Sequence, residues 1–112
     1  MDITSQTHHF DVVVIGLTGR LDVVEAGSVR TILTDHIEAD RHRLIVDLSA
    51  IEFVDSAGLA ALVQGMKRCR QGGGDLRLVT PTDHATSRVF ELTKFDRVFI
   101  MGDSAEELLG GW

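Results

Sequence analysis

The chain predicts an α/β domain, a small, mixed, mostly parallel β-sheet flanked by about four helices. Three observations carry this. Short apolar runs rich in branched residues alternate with stretches whose apolar residues recur at helical spacing, the pattern of a sheet with helices packed on it. The run Leu44–Leu48 is interrupted only by Asp47, as in a strand covered on both faces. Glycines, a single proline and helix-capping residues fall between the runs, where turns and caps are needed. Parallel pairs in such a sheet imply right-handed crossovers.

In chain order, residues 1–6 are expected to be a flexible end, and Thr7–Phe10 a short edge strand. Asp11–Thr18 contains Val12, Val13, Val14, Ile15 and Leu17 and reads as a strand, with Gly16 and Gly19 as candidates for a bulge and a turn. Val24–Ala39 carries Ala26, Val29, Ile32, Leu33 and Ile37 at helical spacing. Arg43–Leu48 is the central strand; a tight turn follows, and Ile51, Phe53 and Val54 return to the core. Ser56–Gln71 is a second helix, ended by Gly72-Gly73-Gly74. Asp75–Thr80 is a strand ended by Pro81, and Thr82-Asp83 can cap a third helix over Ala85, Val89 and Leu92. Arg97–Met101 is a final short strand. Ser104-Ala105-Glu106-Glu107 fits a capping box opening a last helix over Leu108 and Leu109. Residues 110–112 read as a frayed tail, with Trp112 able to fold back onto the core.

The bounds agree with one domain: 112 residues, 44% hydrophobic, with so few aromatics that the core must rest on Val, Leu, Ile and Ala. A formal net charge of -6 speaks against nucleic acid and anionic membrane as partners and permits a partner with basic contacts. The lone Cys69 excludes an internal disulfide and fits a reducing compartment. No signal-peptide pattern opens the chain, and no apolar run approaches the roughly 20 residues that cross a bilayer. A cytoplasmic monomer is the expectation.

The stretch with most chemical content runs from Phe53 to Leu62. Asp55 and Ser56 are both favoured N-cap residues, placed just before Leu59, Leu62, Val63 and Met66 at helical spacing. Ser56 is thus expected to be exposed at a helix N-terminus, where N–H groups and the dipole favour negative charge. On the residues alone, Ser56 reads as an N-cap worth about 1 kcal/mol. Asp55 reads as an acid complementing the dipole, and Asp22 as a cap for the helix that begins near Val24. Leu59 and Leu62 read as core. Lys67, Arg68 and Arg70 suit a helix C-terminus, and Cys69 reads as an inert packing residue.

Phe53-Val54-Asp55-Ser56-Ala57-Gly58-Leu59-Ala60-Ala61-Leu62 resembles the signature of STAS domains, the anti-sigma-factor antagonists of bacteria. Gly19-Arg20-Leu21-Asp22, the glycine triplet with Leu76-Arg77-Leu78-Val79, and Phe90-Glu91-Leu92-Thr93-Lys94-Phe95 resemble further elements of the family in the same order. The resemblance implies a single STAS domain over residues 1–112. It implies that Ser56 is phosphorylated by an anti-sigma factor acting as a GHKL-type serine kinase. It also implies that Asp22 and Asp55 contact that partner beside Ser56. The residues themselves add that Ala57 and Gly58 keep the turn bare, so that the partner reaches the hydroxyl, and that one or two positions on the helix face opposite Leu59 and Leu62, such as Ala60, Ala61 or Gln64, line the interface. The unphosphorylated form would bind the anti-sigma factor and release a sigma factor, phosphorylation would end the complex, and a phosphatase would reset it.

A different reading is a stand-alone STAS sensor or scaffold module that binds a small molecule or joins a stress-signalling assembly. Catalysis is not expected. His8, His9, His36, His42 and His84 make no strong metal-ligand spacing with one another or with Cys69. Ser56 lacks a Gly-x-Ser-x-Gly elbow, and the glycine triplet lacks the Gly-Lys-Ser/Thr ending of a phosphate loop. No cofactor and no metal are expected.

Overall fold

A computed structural model describes residues 1–8 and 11–112. Its elements are β1 (Asp2–Thr7), β2 (Val13–Leu21), α1 (Ala26–Glu38), β3 (Arg43–Val54), α2 (Ser56–Gln71), β4 (Asp75–Val79), α3 (His84–Leu92), β5 (Met101–Gly102) and α4 (Ala105–Leu109), with a 3-10 turn at Phe95–Arg97 before β5. The sheet runs in the order β1-β2-β3-β4-β5. Its first pair is antiparallel and the others parallel.

Side-chain alternation along the strands explains the layers. Leu44, Val46 and Leu48 of β3 face a core shared with Val29 and Leu33 of α1, Leu59, Leu62 and Met66 of α2, and Phe90 of α3. Ile45 points to the other face, where it meets Val12, Val79 and Leu108 of α4, with Trp112 packed alongside. The Arg77 guanidinium lies 3.8 Å from the centre of the Trp112 ring, so the terminal tryptophan does fold back.

Four expectations are corrected. Residues 2–6 are not a flexible end: they belong to β1, whose pairing with Val14–Thr18 gives their polar backbone its hydrogen bonds. Of the strand expected at Thr7–Phe10, His9 and Phe10 lie outside the described residues, and Thr7 ends β1. The expected turns at Gly19 and after Leu48 are strand. β2 runs on to Leu21 and β3 to Val54, with breaks in pairing register between Gly16 and Thr18 and between Gly19 and Arg20. Those bulges disrupt the two-residue period, so the buried Leu48, Ile51 and Val54 fall at a spacing of three. The extra residues lie in β3, which takes three steps from Asp47 to Ala50 against two in β2, and two from Ile51 to Phe53 against one; Gly19, at the second break, has a φ of 109°. Finally, the strand expected at Arg97–Met101 is only Met101–Gly102, because Lys94 at a φ of 62° turns the chain into the 3-10 segment. No helix among the described residues is long and apolar enough to cross a membrane.

This topology sets the site. Leu21 and Val54 are register partners at the C-terminal ends of adjacent parallel strands. The segments that leave them, Asp22–Glu25 and Asp55–Ser56, therefore emerge side by side, where open α/β sheets carry their ligand sites.

Candidate functional site

Asp55 builds the site. Its backbone is extended, so its side chain turns back over the first turn of α2, and Oδ1 accepts a hydrogen bond from the Gly58 N–H at 3.0 Å. Oδ2 accepts from the Val23 N–H, also at 3.0 Å, and the Asp55 N–H donates to the Leu21 carbonyl at 3.2 Å. Asp22 organises the facing loop in the same way. Its Oδ1 accepts from the N–H groups of Val24 and Glu25 at 3.1 and 3.2 Å, and its carbonyl accepts from Ala26. Arg20 lies over the Phe53 ring at 4.0 Å and 3.8 Å from Asp22 Oδ2.

Because Asp55 caps α2, Ser56 is relieved of that duty. It is the first residue of the helix, exposed, and its hydroxyl makes no hydrogen bond among the described residues. The N–H groups of Ser56 and Ala57 likewise have no acceptor there. The arrangement is a free nucleophilic hydroxyl beside unpaired donors at the positive end of a 16-residue helix.

A family model for the STAS domain matches residues 4–108. The chain belongs to the STAS domain family. It is similar to the anti-sigma-F factor antagonist RsfA of Mycobacterium tuberculosis, 27% identical over 104 residues that cover 91% of this chain and 80% of RsfA. A solved anti-sigma factor antagonist from Mycobacterium paratuberculosis superposes with a TM-score of 0.83 at 27% identity, covering 98% of this chain and 93% of that one. The Bacillus cell fate determinant SpoIIAA, solved in its phosphorylated form, shares the fold at a TM-score of 0.74 and 20% identity, covering 97% of each chain.

On this STAS fold the expected site residues separate. Asp22, Asp55 and Ser56 come together at one end of the sheet, with Ala57 half-buried against the core and Ala60 exposed on α2. Two of the residues expected to contact a partner are buried. Ala61 is 1% exposed and lies between α2 and α1, so its side chain is core. Gly58 is buried against the end of β2: a Cβ there would stand 2.5 Å from the Leu21 carbonyl oxygen and 2.7 Å from its Cγ. Its missing side chain permits the close docking of α2 on β2. Ser56 is likewise not the N-cap of α2, since Asp55 holds that position.

The basic cluster of α2 also divides. Arg70 pairs with Asp75 at 2.8 Å and donates to the Val98 carbonyl, and Arg68 donates to Thr34, whereas Lys67 makes no ion pair among the described residues. Cys69 is buried, and that burial pushes its thiol up to about 12, leaving it inert at neutral pH.

Two features escaped the sequence reading. Val23 and Val24 are 72% and 79% exposed, in the loop that Asp55 holds. Val23, three residues before Ala26, is in phase with the α1 stripe on paper, but the Asp22 turn delays the helix to Ala26 and leaves both valines outside. The other is a groove of about 470 Å³ running from Ser56 along Leu59, Ala60 and Val63 to Lys67, walled on its far side by Thr93 and Phe95. No local pattern announces it, because its walls lie some thirty residues apart in the chain.

Proposed function

We propose that this chain is an anti-sigma-factor antagonist whose unphosphorylated form binds an anti-sigma factor and whose binding is switched off by phosphorylation of Ser56. The observation that carries the reading is the division of labour between Asp55 and Ser56. One side chain caps the helix, and the neighbouring hydroxyl is left exposed and uncommitted.

Docking would use the loop ends of β2 and β3. Val23 and Val24 offer apolar contact, and Asp22, Glu25 and Asp55 surround them with acidic groups that suit a partner with basic contacts. The anti-sigma factor, acting as a GHKL-type kinase, would transfer the γ-phosphoryl group of ATP to Ser56 Oγ. The new O–P bond replaces the bond to ADP, which leaves, and the hydroxyl proton passes to a base of the kinase. The phosphate adds about -1.5 to -2 charge. The helix tolerates it, since unpaired N–H groups and the dipole meet it. A docked partner does not, because it must desolvate a dianion beside Asp55. A phosphatase would restore the hydroxyl. The protein acts in the cytoplasm as a regulatory binding partner rather than as an enzyme.

The test is binding to the GHKL-type anti-sigma factors of the source cell, each purified and titrated in turn. Wild type and Ser56→Ala should form a stoichiometric complex with one of them. Ser56→Asp should weaken it by two orders of magnitude or more. A complex indifferent to Ser56→Asp overturns the switch.

A further inference from the structure

We infer that the groove between α2 and the segment after α3 is a second docking surface, and that its occupant is an amphipathic helix of the same anti-sigma factor presenting an apolar stripe that ends in a carboxylate. The inference rests on the antagonist reading and adds to it where the partner lies and what chemistry it presents.

The groove is lined by Leu59, Ala60, Val63, Gln64, Lys67 and Phe95, with Ser56 at one end. Its floor is mostly apolar, and Leu92, next to its wall residue Thr93, is 71% exposed. Contiguous exposed apolar surface rimmed by polar residues is the kind that marks interaction sites. The charge pattern selects the occupant. The chain carries a net charge of -6, yet the charged residue lining this groove is Lys67, and Lys94 lies between Thr93 and Phe95. Neither lysine makes an ion pair among the described residues. Lys94 and Asp96 flank Phe95 and offset one another, so the cation that the groove presents is Lys67, complementary to a carboxylate.

Length selects the form. Ser56 and Lys67 are separated by about 16 Å along the axis of α2, the length of roughly three helical turns. A helix laid along such a groove places anchors at i, i+4 and i+7 on the apolar floor. The position of Ser56 then explains how one modification releases a whole interface. A phosphate there stands at the mouth of the groove, and the first apolar anchor can enter only by stripping water from it.

Three variants test this, titrated with the purified anti-sigma factor that binds wild type. Lys67→Glu reverses the cation, Ala60→Arg fills the floor from an exposed helix position, and Arg30→Glu makes the same change of charge on α1. Circular dichroism first establishes that each is folded. Lys67→Glu and Ala60→Arg are expected to weaken the complex tenfold or more, and Arg30→Glu to leave it within twofold. Should both groove variants bind within twofold of wild type while Ser56→Asp still abolishes binding, the groove is overturned and the antagonist reading stands. Equal losses from Lys67→Glu and Arg30→Glu, with none from Ala60→Arg, reduce the effect to net charge and also overturn it. If wild type binds none of the anti-sigma factors, the antagonist reading falls and the groove's occupant with it.

Discussion

The Asp55 carboxylate reaches across to the neighbouring loop and accepts a hydrogen bond from the backbone N–H of Val23 at 3.0 Å, while its other oxygen caps α2. One side chain thus ties two segments 32 residues apart into a single surface beside Ser56. Asp55→Ala removes the cap and the tie together and is expected to cost about 2 kcal/mol in urea unfolding. Amide exchange at Val23 should quicken in the same variant. Unchanged protection at Val23 would show that the loop holds itself.

Ser56→Ala has the opposite expectation. Since the Ser56 hydroxyl makes no hydrogen bond among the described residues, stability should stay within about 0.5 kcal/mol of wild type by urea unfolding. A loss of about 1 kcal/mol would assign the serine a capping role after all.

Gly58→Ala tests the close approach of α2 to β2. The added Cβ meets the backbone of Leu21, which has nowhere to retreat without moving the strand end. The expected cost is about 1–3 kcal/mol, read as a lowered urea midpoint. Stability equal to wild type would mean that α2 shifts freely.

His36 joins β1 to α1. Its Nδ1 accepts from Arg41 at 3.3 Å and its Nε2 donates to the Ser5 hydroxyl at 2.9 Å, the tautomer that the arginine imposes. Burial, helped by Arg41 and opposed by Asp35, lowers its pKa below the usual 6.5. A base with a lowered folded pKa binds protons more readily when unfolded, so its contribution is present above about 6.5 and is lost as pH falls through the folded value. Between pH 7.5 and 5.5, wild type should lose urea stability more steeply than His36→Gln. Parallel slopes would remove His36 from the account.

The sheet, its parallel character and the exposed serine were legible because helical spacing and branched runs survive in the sequence around Leu44–Val46 and Leu59–Met66. The lengths of β2 and β3 were not, because bulges in β3 opposite Gly16–Thr18 and Gly19–Arg20 break its two-residue period, and the glycines of β2 resemble turn residues. Within Asp55-Ser56, composition alone does not decide which residue caps and which is free. The extended backbone of Asp55 decides it. Ala61 was misread because both faces of α2 carry small residues, and only the packing of α1 distinguishes them. Val23 was hidden by lying in phase with a helix that starts later, and Val24 by falling at that helix's expected start.

The central claim is that the chemical state of Ser56 controls a partner. The most direct measurement forms the complex with a purified GHKL-type anti-sigma factor, adds ATP, and follows dissociation while mass spectrometry locates the phosphate. The account predicts a single phosphate on Ser56, appearing as the complex dissociates, with Ser56→Ala remaining bound and unmodified. Phosphate elsewhere in the chain, or a complex that persists once Ser56 is fully phosphorylated, would contradict it.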